Sequence, residues 1–337
     1  MTQNSKLLSI IVPIFNEEKN IAKLYDEVSS VCKQLKVFAD YEIIMIDDGS
    51  RDNSLHLLKN LSQKDFRVKI VSFTRNFGHE PATTAGLFHA NGDAACIIDA
   101  DLQDPPSLFL EFEKEYKNGY DIVYGQRTKR LNEAPLKKLS SLLFYPFFKW
   151  ITKIDMPYNI GDFCLMSRKS INLFKQFPER SRFVRALIYW PGLSKIGVPF
   201  VRQQRLAGDT KQGTYHRITT AINFIVSFSM KPIFFIIFFA LLLVISSAIT
   251  FIASIGLHLT NILNISLNTF LLIAGANIFS AVFFCISIIG LYAAKTFIET
   301  NQRPIYLVDT LTNFEKTHTR TNQTLNYYEN NNSSTNI

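Results

Sequence analysis

The sequence predicts an α/β fold, an open and mostly parallel sheet with helices on both faces, followed by a C-terminal two-helix transmembrane hairpin. Three observations carry this. Short β-branched runs at residues 7–14, 42–47, 68–73 and 94–99 alternate with helical patterns at 17–35, 52–63 and 80–90, and such alternation builds a parallel sheet covered on both sides. A polar cluster follows each of the four runs. Charged residues then vanish from Pro232 to Leu257 and again from Leu259 to Ala294.

A chain of 337 residues holds one large domain, or one domain with an appendage. Hydrophobic residues make up 47%, with 29 phenylalanines, and the excess lies beyond residue 230. The first run, LLSIIVPIF, is too short for a signal peptide. It is broken by Pro13 and followed by Asn16-Glu17-Glu18, not by a small-residue cleavage site. It reads as a strand. Ile21, Leu24, Val28 and Val31 then repeat at helical spacing. Later, DIVYGQR (121–127) reads as a further strand. APLKKLSSLLFYPFFKW (134–150) combines lysines with a dense aromatic band ending in Trp150. It reads as a membrane-interface helix over about 134–152; a core helix with solvated lysines is the alternative.

An apolar helix needs roughly 20 residues to cross the hydrocarbon core. Both uncharged stretches meet that, which places spans at about 232–257 and 269–294 with a polar interruption, LTNILNISLN, between them. Lys231 precedes the first span, Lys295 and Arg303 follow the second, and the connection has only His258. Positive flanks stay on the cytoplasmic side, so both termini are expected in the cytosol. The expected layout is a cytosolic domain at 1–213, a juxtamembrane helix at 214–230, the hairpin at 231–296, and a tail at 297–337. The Asn, Thr and Ser content after Thr317 points to disorder there. A net charge of +8 suits anionic lipid headgroups. No basic stripe interleaved with aromatics points to nucleic acid. The four cysteines form no C-x-x-C pair, which fits a reducing compartment without structural zinc.

Open parallel sheets bind ligands beyond the carboxyl ends of their strands, and all four polar clusters fall there. They are Asn16-Glu17, Asp47-Asp48-Gly49-Ser50, Arg75-Asn76 and Asp99-Ala100-Asp101. Taken alone, Asp-Gly-Ser is as readily a turn followed by a helix cap. In extended backbone, residues two apart share a face, so Asp99, Asp101 and Gln103 would present two carboxylates and an amide to one cation. That donor set suits a hard ion, Mg2+ or Mn2+, which would neutralise a diphosphate leaving group. Asp104, followed by Pro105 and Pro106, reads as the cap of the next helix. Asp48 is placed to accept from the N–H of a base, uracil or guanine, with Pro13, Phe15 and Glu17 shaping the nucleoside pocket and Arg75 beside it. Neither a phosphate-binding loop nor a dinucleotide fingerprint occurs.

The segments VPIFNEEKNI, IDDGSRDNS, SFTRNFGHEPATTAGLFHANGD, IIDADLQDPP, YDIVYGQRTKR, GDFCLMSR, FPERSRFVRALIYWPG and VRQQRLAGDTK follow one another in that order. Over about residues 7–305 the chain resembles the polyprenyl-phosphate glycosyltransferases, inverting enzymes of family two. The resemblance implies a GT-A fold, a nucleotide-sugar donor, a polyprenyl phosphate acceptor and a location in the bacterial inner membrane. It implies that Asp99, Asp101 and Gln103 hold the metal, that Asp99 also serves the nucleotide-sugar site, and that Asp48 reads the base. Arg127, Arg130, Arg202, Arg205 and Lys211 would gather donor and acceptor phosphates. The catalytic set is Asp101, Asp162, Arg127 and Arg205, with Arg130, Arg202 and Lys211 on the acceptor phosphate. Asp162 contacts the sugar or orients attack, or else is a turn carboxylate after Gly161. Two positions depart from the commoner pattern: His79 stands where Lys is frequent, and Asp209-Thr210 where Glu-Ser is usual.

A lipid monophosphate, with a second pKa near 6, is already a dianionic nucleophile at cytosolic pH, so no general base is required. Two rivals are a processive polysaccharide synthase and a non-enzymatic membrane scaffold. The first carries Gln-x-x-Arg-Trp and more membrane helices, whereas RQQRLA lacks the Trp. A homo-oligomer is compatible with the sequence.

Overall fold

The computed structural model describes residues 6–129, 149–202, 226–259 and 267–314. The strands are β1 (Lys6–Ile14), β2 (Phe38–Asp47), β3 (Val68–Phe73), β4 (Ala94–Ile97), β5 (Ile122–Lys129), β6 (Ile160–Ser167), β7 (Lys195–Val201) and β8 (Val308–Thr312). They form one open sheet in the order β7-β5-β6-β4-β1-β2-β3-β8. The centre, β4-β1-β2-β3, is parallel throughout. On one side β6 runs antiparallel to both β4 and β5, and on the other β8 runs antiparallel to β3. The sheet is therefore mixed. The expected parallel arrangement holds at the centre and is broken where β6 is inserted.

Helices α1 (Ile21–Cys32), α2 (Ser54–Lys64), α3 (His79–His89), α4 (Phe109–Lys117), α5 (Arg168–Phe174) and α6 (Val184–Tyr189) cover both faces. Strand alternation divides the core accordingly. Leu8, Ile10 and Val12 of β1 pack with Ile21 and Leu24 of α1, Leu58 of α2 and Phe112 of α4. Ile11 of the same strand joins Ala82 and Ala85 of α3, Ile171 of α5 and Leu187 of α6. The central strands are apolar almost without interruption because both of their faces are buried.

Two long helices follow, α7 (Lys231–Leu259) and α8 (Leu267–Thr300). They pack side by side, with Phe239 edge-on to Phe284 at 5.7 Å. Among the described residues, Asn277–Thr300 is long and apolar enough to cross a membrane. The end of α8 is fastened to the sheet domain. Glu299 accepts from the amides of Arg180 and Ser181, both at 2.8 Å, and Lys295 donates to the Ser181 hydroxyl at 2.7 Å. The chain then returns to the sheet as β8, with Tyr306 stacked on Phe73 at 4.9 Å. The interface helix over about 134–152 and the juxtamembrane helix at 214–230 lie almost wholly outside the described residues, as does the tail beyond residue 314.

Candidate active site

The four polar clusters meet at the carboxyl edge of the central strands, and their loops are tied to one another. The Asn16 side chain accepts from the Arg51 amide at 2.8 Å, and the Asn16 amide donates to Ser50 Oγ at 3.1 Å. Glu17 and Glu18 donate through their amides to Ser54 Oγ and Asp52. Gly49 has φ +65°, and a Cβ there would lie 2.4 Å from the carbonyl carbon of Arg75. Only glycine lets the loops after β2 and β3 come so close.

Asp48 is buried, and both its oxygens are engaged by the loop after β3. Phe77 N donates to Oδ1 at 2.6 Å, while Gly78 N and Asn76 Nδ2 donate to Oδ2 at 2.9 and 3.0 Å. Burial pushes its carboxyl up, and the two amides partly offset that. The structure thus displays Asp48 as the residue that shapes this loop. Arg75 lies exposed in the same loop, its guanidinium 4.0 Å from the Phe77 ring. Pro13 is buried inside β1 opposite Ile46. Phe15 and Glu17 are half-buried, and Glu17 accepts from the Asn20 amide group at 2.7 Å.

The stretch after β4 departs from the expected extended geometry. β4 ends at Ile97, and Leu102 has φ +55°. Residues 99–103 therefore follow turns, and alternation does not place Gln103 beside the two aspartates. Asp99 instead meets His79, Oδ1 to Nε2 at 3.0 Å. Burial would raise the Asp99 carboxyl, but His79, Arg202 and Arg127 bring it down to about 2. Burial would lower the His79 ring, yet Asp99, Asp162 and Glu80 push it up to about 10. Asp101 is buried; its Oδ1 accepts from the Gln103 amide at 3.2 Å, and its Oδ2 lies 3.9 Å from Arg202.

Asp104 is not a helix cap. The short 3₁₀ turn at Pro106–Leu108 has Pro105 at its cap position and no side-chain cap bond. The Asp104 side chain points inward, 0% exposed, 3.6 Å from Arg127 Nη2 and 3.7 Å from Arg202 Nε. Burial pushes its carboxyl up to about 6, with Arg127 working against it. Three carboxylates, Asp99, Asp101 and Asp104, thus face three cations, His79, Arg127 and Arg202. The site is charge-matched, so it can admit a cation together with an anionic ligand without a large electrostatic penalty. Among the described residues, no three His, Cys, Asp or Glu side chains form a ready metal cluster.

Asp162 lies on β6, next to this group. Arg185 of α6 grips it with Nε to Oδ1 at 3.0 Å and Nη2 to Oδ2 at 2.9 Å. Burial raises its carboxyl, and Arg185 and His79 more than reverse that. Glu80 accepts from Val184 N at 2.6 Å. The structure therefore gathers Asp48, Asp99, Asp101, Arg127, Asp162 and Arg202 on one rim. It adds His79, Glu80, Asp104 and Arg185, to which sequence reasoning gave no site role. Arg185 and Glu80 sit inside the quoted segments, but nothing in their spelling names their partners. Arg130, Arg205 and Lys211 lie outside the described residues.

Comparison with known proteins places this rim in a family. The model described as "Glycosyl transferase family 2" matches residues 9–174. "Uncharacterized glycosyltransferase YkcC" of Bacillus subtilis (strain 168) is 37% identical over 300 residues, 89% of this chain and 92% of that protein. "Bactoprenol glucosyl transferase" of Shigella phage SfX is 32% identical over 309 residues, 89% of this chain and 98% of that protein. Among solved structures, glucosyl-3-phosphoglycerate synthase from Mycobacterium tuberculosis with Mn2+, UDP and glucosyl-3-phosphoglycerate aligns at 16% identity and TM-score 0.47. That alignment covers 67% of this chain and 81% of that one, and a likeness so distant transfers no ligand. With two long relatives above 30% identity along nearly the whole chain, the protein belongs to glycosyl transferase family 2 and is a glycosyltransferase.

Proposed function

We propose that the chain transfers a sugar from a UDP- or GDP-linked donor to a polyprenyl phosphate at the cytosolic membrane face, with inversion, giving a lipid-phosphate-linked monosaccharide. The observation that carries this reading is the charge-matched rim, where Asp99, Asp101 and Asp104 face His79, Arg127 and Arg202 at the carboxyl ends of parallel strands. The name of the phage relative supports a polyprenyl acceptor.

Asp99 and Asp101 offer hard oxygen donors of the kind that suits Mg2+ or Mn2+, and Gln103 is assigned to the same ion although the turn at Leu102 does not set it beside them by strand alternation. When bound, such an ion supplies charge neutralisation for the departing diphosphate. Arg127 and Arg202 offer planar guanidinium forks to phosphate oxygens, and Arg130, Arg205 and Lys211 are assigned the same task. Asp162, fixed by Arg185, orients the sugar or the attacking phosphate. Asp48, with Pro13, Phe15, Glu17 and Arg75, forms the nucleoside seat.

In this reading residues 1–213 form the cytosolic catalytic domain, 214–230 a juxtamembrane helix and 231–296 two spans, with both termini in the cytosol. The band around Trp150 holds the site at a bacterial inner membrane. The phage relative's name, a glucosyl transferase, favours a single sugar over a processive polymer.

The test offers radiolabelled UDP- and GDP-sugars to the full chain with undecaprenyl phosphate. Label should pass into an organic-extractable lipid with one donor, stop in chelator, and return with Mg2+ or Mn2+. Asp101→Ala should abolish transfer while the protein remains folded. Polymer formation would favour the processive synthase, and transfer that persists in chelator would remove the metal.

A further inference from the structure

We infer that Asp104 is a positioning residue that locks Arg127 and Arg202 together as one clamp for the diphosphate of the donor. The inference rests on the nucleotide-sugar reading above and extends it to a residue without contact to substrate.

Asp104 is fully buried, and among the described residues neither of its carboxylate oxygens has a hydrogen-bond partner. A carboxylate without hydrogen bonds is costly to bury unless opposite charge lies close. Here the opposite charge comes from two strands. Arg127 belongs to β5, while Arg202 follows the end of its parallel neighbour β7, and each guanidinium stops at 3.6 or 3.7 Å from a different oxygen of Asp104. Among the described residues the Nε atoms of both arginines also lack hydrogen-bond partners. Two guanidinium groups brought together repel each other, and Arg127 holds its proton less firmly than usual, through burial first and the charges of Arg202 and Arg185 after it. A carboxylate between them removes that repulsion and fixes the direction of both forks. The contacts are electrostatic and exceed hydrogen-bond length, so the arginines keep donors for phosphate oxygens.

A second wall holds Arg127 in place. Gly161 lies directly against it: a Cβ there would come within 2.5 Å of Arg127 Nη2. The glycine before Asp162 thus leaves room for the guanidinium, and Asp104 draws it from the other side. A methyl group at 161 would meet the flexible end of a side chain, so it shifts the arginine and spares the backbone.

The experiment measures UDP and GDP affinity by calorimetry on the full detergent-solubilised chain, alongside donor KM, kcat and melting midpoint. Asp104→Asn keeps the volume and removes the charge. It should weaken the preferred nucleoside diphosphate at least about tenfold, the scale of one charge-assisted bond, and leave the free nucleoside unaffected. Donor KM should rise more than kcat falls. Asp104→Glu should recover part of the loss, and Gly161→Ala should reproduce it with an unchanged melting midpoint. In an Arg127→Gln background, Asp104→Asn should add much less than it does alone. Additive losses, or a lower melting midpoint with diphosphate affinity unchanged, would overturn the inference and leave Asp104 a fold residue. If the unaltered chain binds neither UDP nor GDP, the donor reading fails first and this inference falls with it.

Discussion

Arg185 and Asp162 form a two-pronged ion pair between α6 and β6, with nitrogen–oxygen distances of 3.0 and 2.9 Å. The pair joins a helix of one core to the strand inserted between β4 and β5, and it faces the residues after β4. Asp162 is therefore held in one orientation.

Breaking that pair from one side leaves a buried carboxylate without compensation. Arg185→Gln should destabilise the protein by roughly 3 kcal/mol and lower transfer at least about tenfold. Arg185→Lys keeps the charge and loses the fork, so its effect should fall between the two. Melting midpoints and initial rates measured together check this; a Gln variant with unchanged stability and rate would contradict it.

Glu80 sets a pH dependence. Burial raises its carboxyl to about 7, helped by the charge of Asp162 and opposed by the Val184 amide, His79 and Arg185. Because the folded-state value is raised, the unfolded chain releases this proton first as pH rises. Stability should fall across the window from the ordinary carboxylate range up to about 7, then level off. Glu80→Gln keeps an acceptor for Val184 and removes the titration. Denaturation midpoints from pH 5 to 8 should be flatter in this variant, and an identical slope would exclude Glu80 as the source.

Gly49→Ala meets both a left-handed backbone and the Arg75 carbonyl carbon at 2.4 Å. The loop that supplies the Phe77 and Gly78 amides to Asp48 must move, at a cost of about 2 kcal/mol or more. The check is a lower melting midpoint together with weakened nucleotide binding.

Glu299 is an acid in the last turn of α8, where the helix dipole disfavours it, yet it accepts from two amides. Glu299→Gln leaves one amide unpaired, worth about 1–2 kcal/mol. Hydrogen exchange at Arg180 and Ser181 should accelerate. Unchanged protection would show that the α8 end is held by other contacts.

The central fold was legible because β1–β4 are buried on both faces and so read as continuous apolar runs. β3 matches its run residue for residue, and α1, α2 and α3 fall within a few residues of their patterns. β6 and β7 were not, since IGDFCLMS and KIGVPFV are interrupted by Gly-Asp and by Gly and Pro, so neither reads as a continuous apolar run. β8, VDTLT, is an exposed edge strand without an apolar face. At the site, the clustering of strand ends could be read, because it follows from parallel topology. The side-chain pairings could not: Leu102 takes a left-handed conformation that breaks alternation, and Asp104 is recruited by arginines far along the chain.

The position of β8 has a consequence for biosynthesis. The strand that completes the β3 edge is encoded after both long helices, so it leaves the ribosome only when they have already emerged. Until then the nascent sheet carries an unpaired edge at β3, a template for mispairing. Completion of the catalytic sheet is thereby made to wait for the helices, and a chain stopped before Leu307 would leave that edge open.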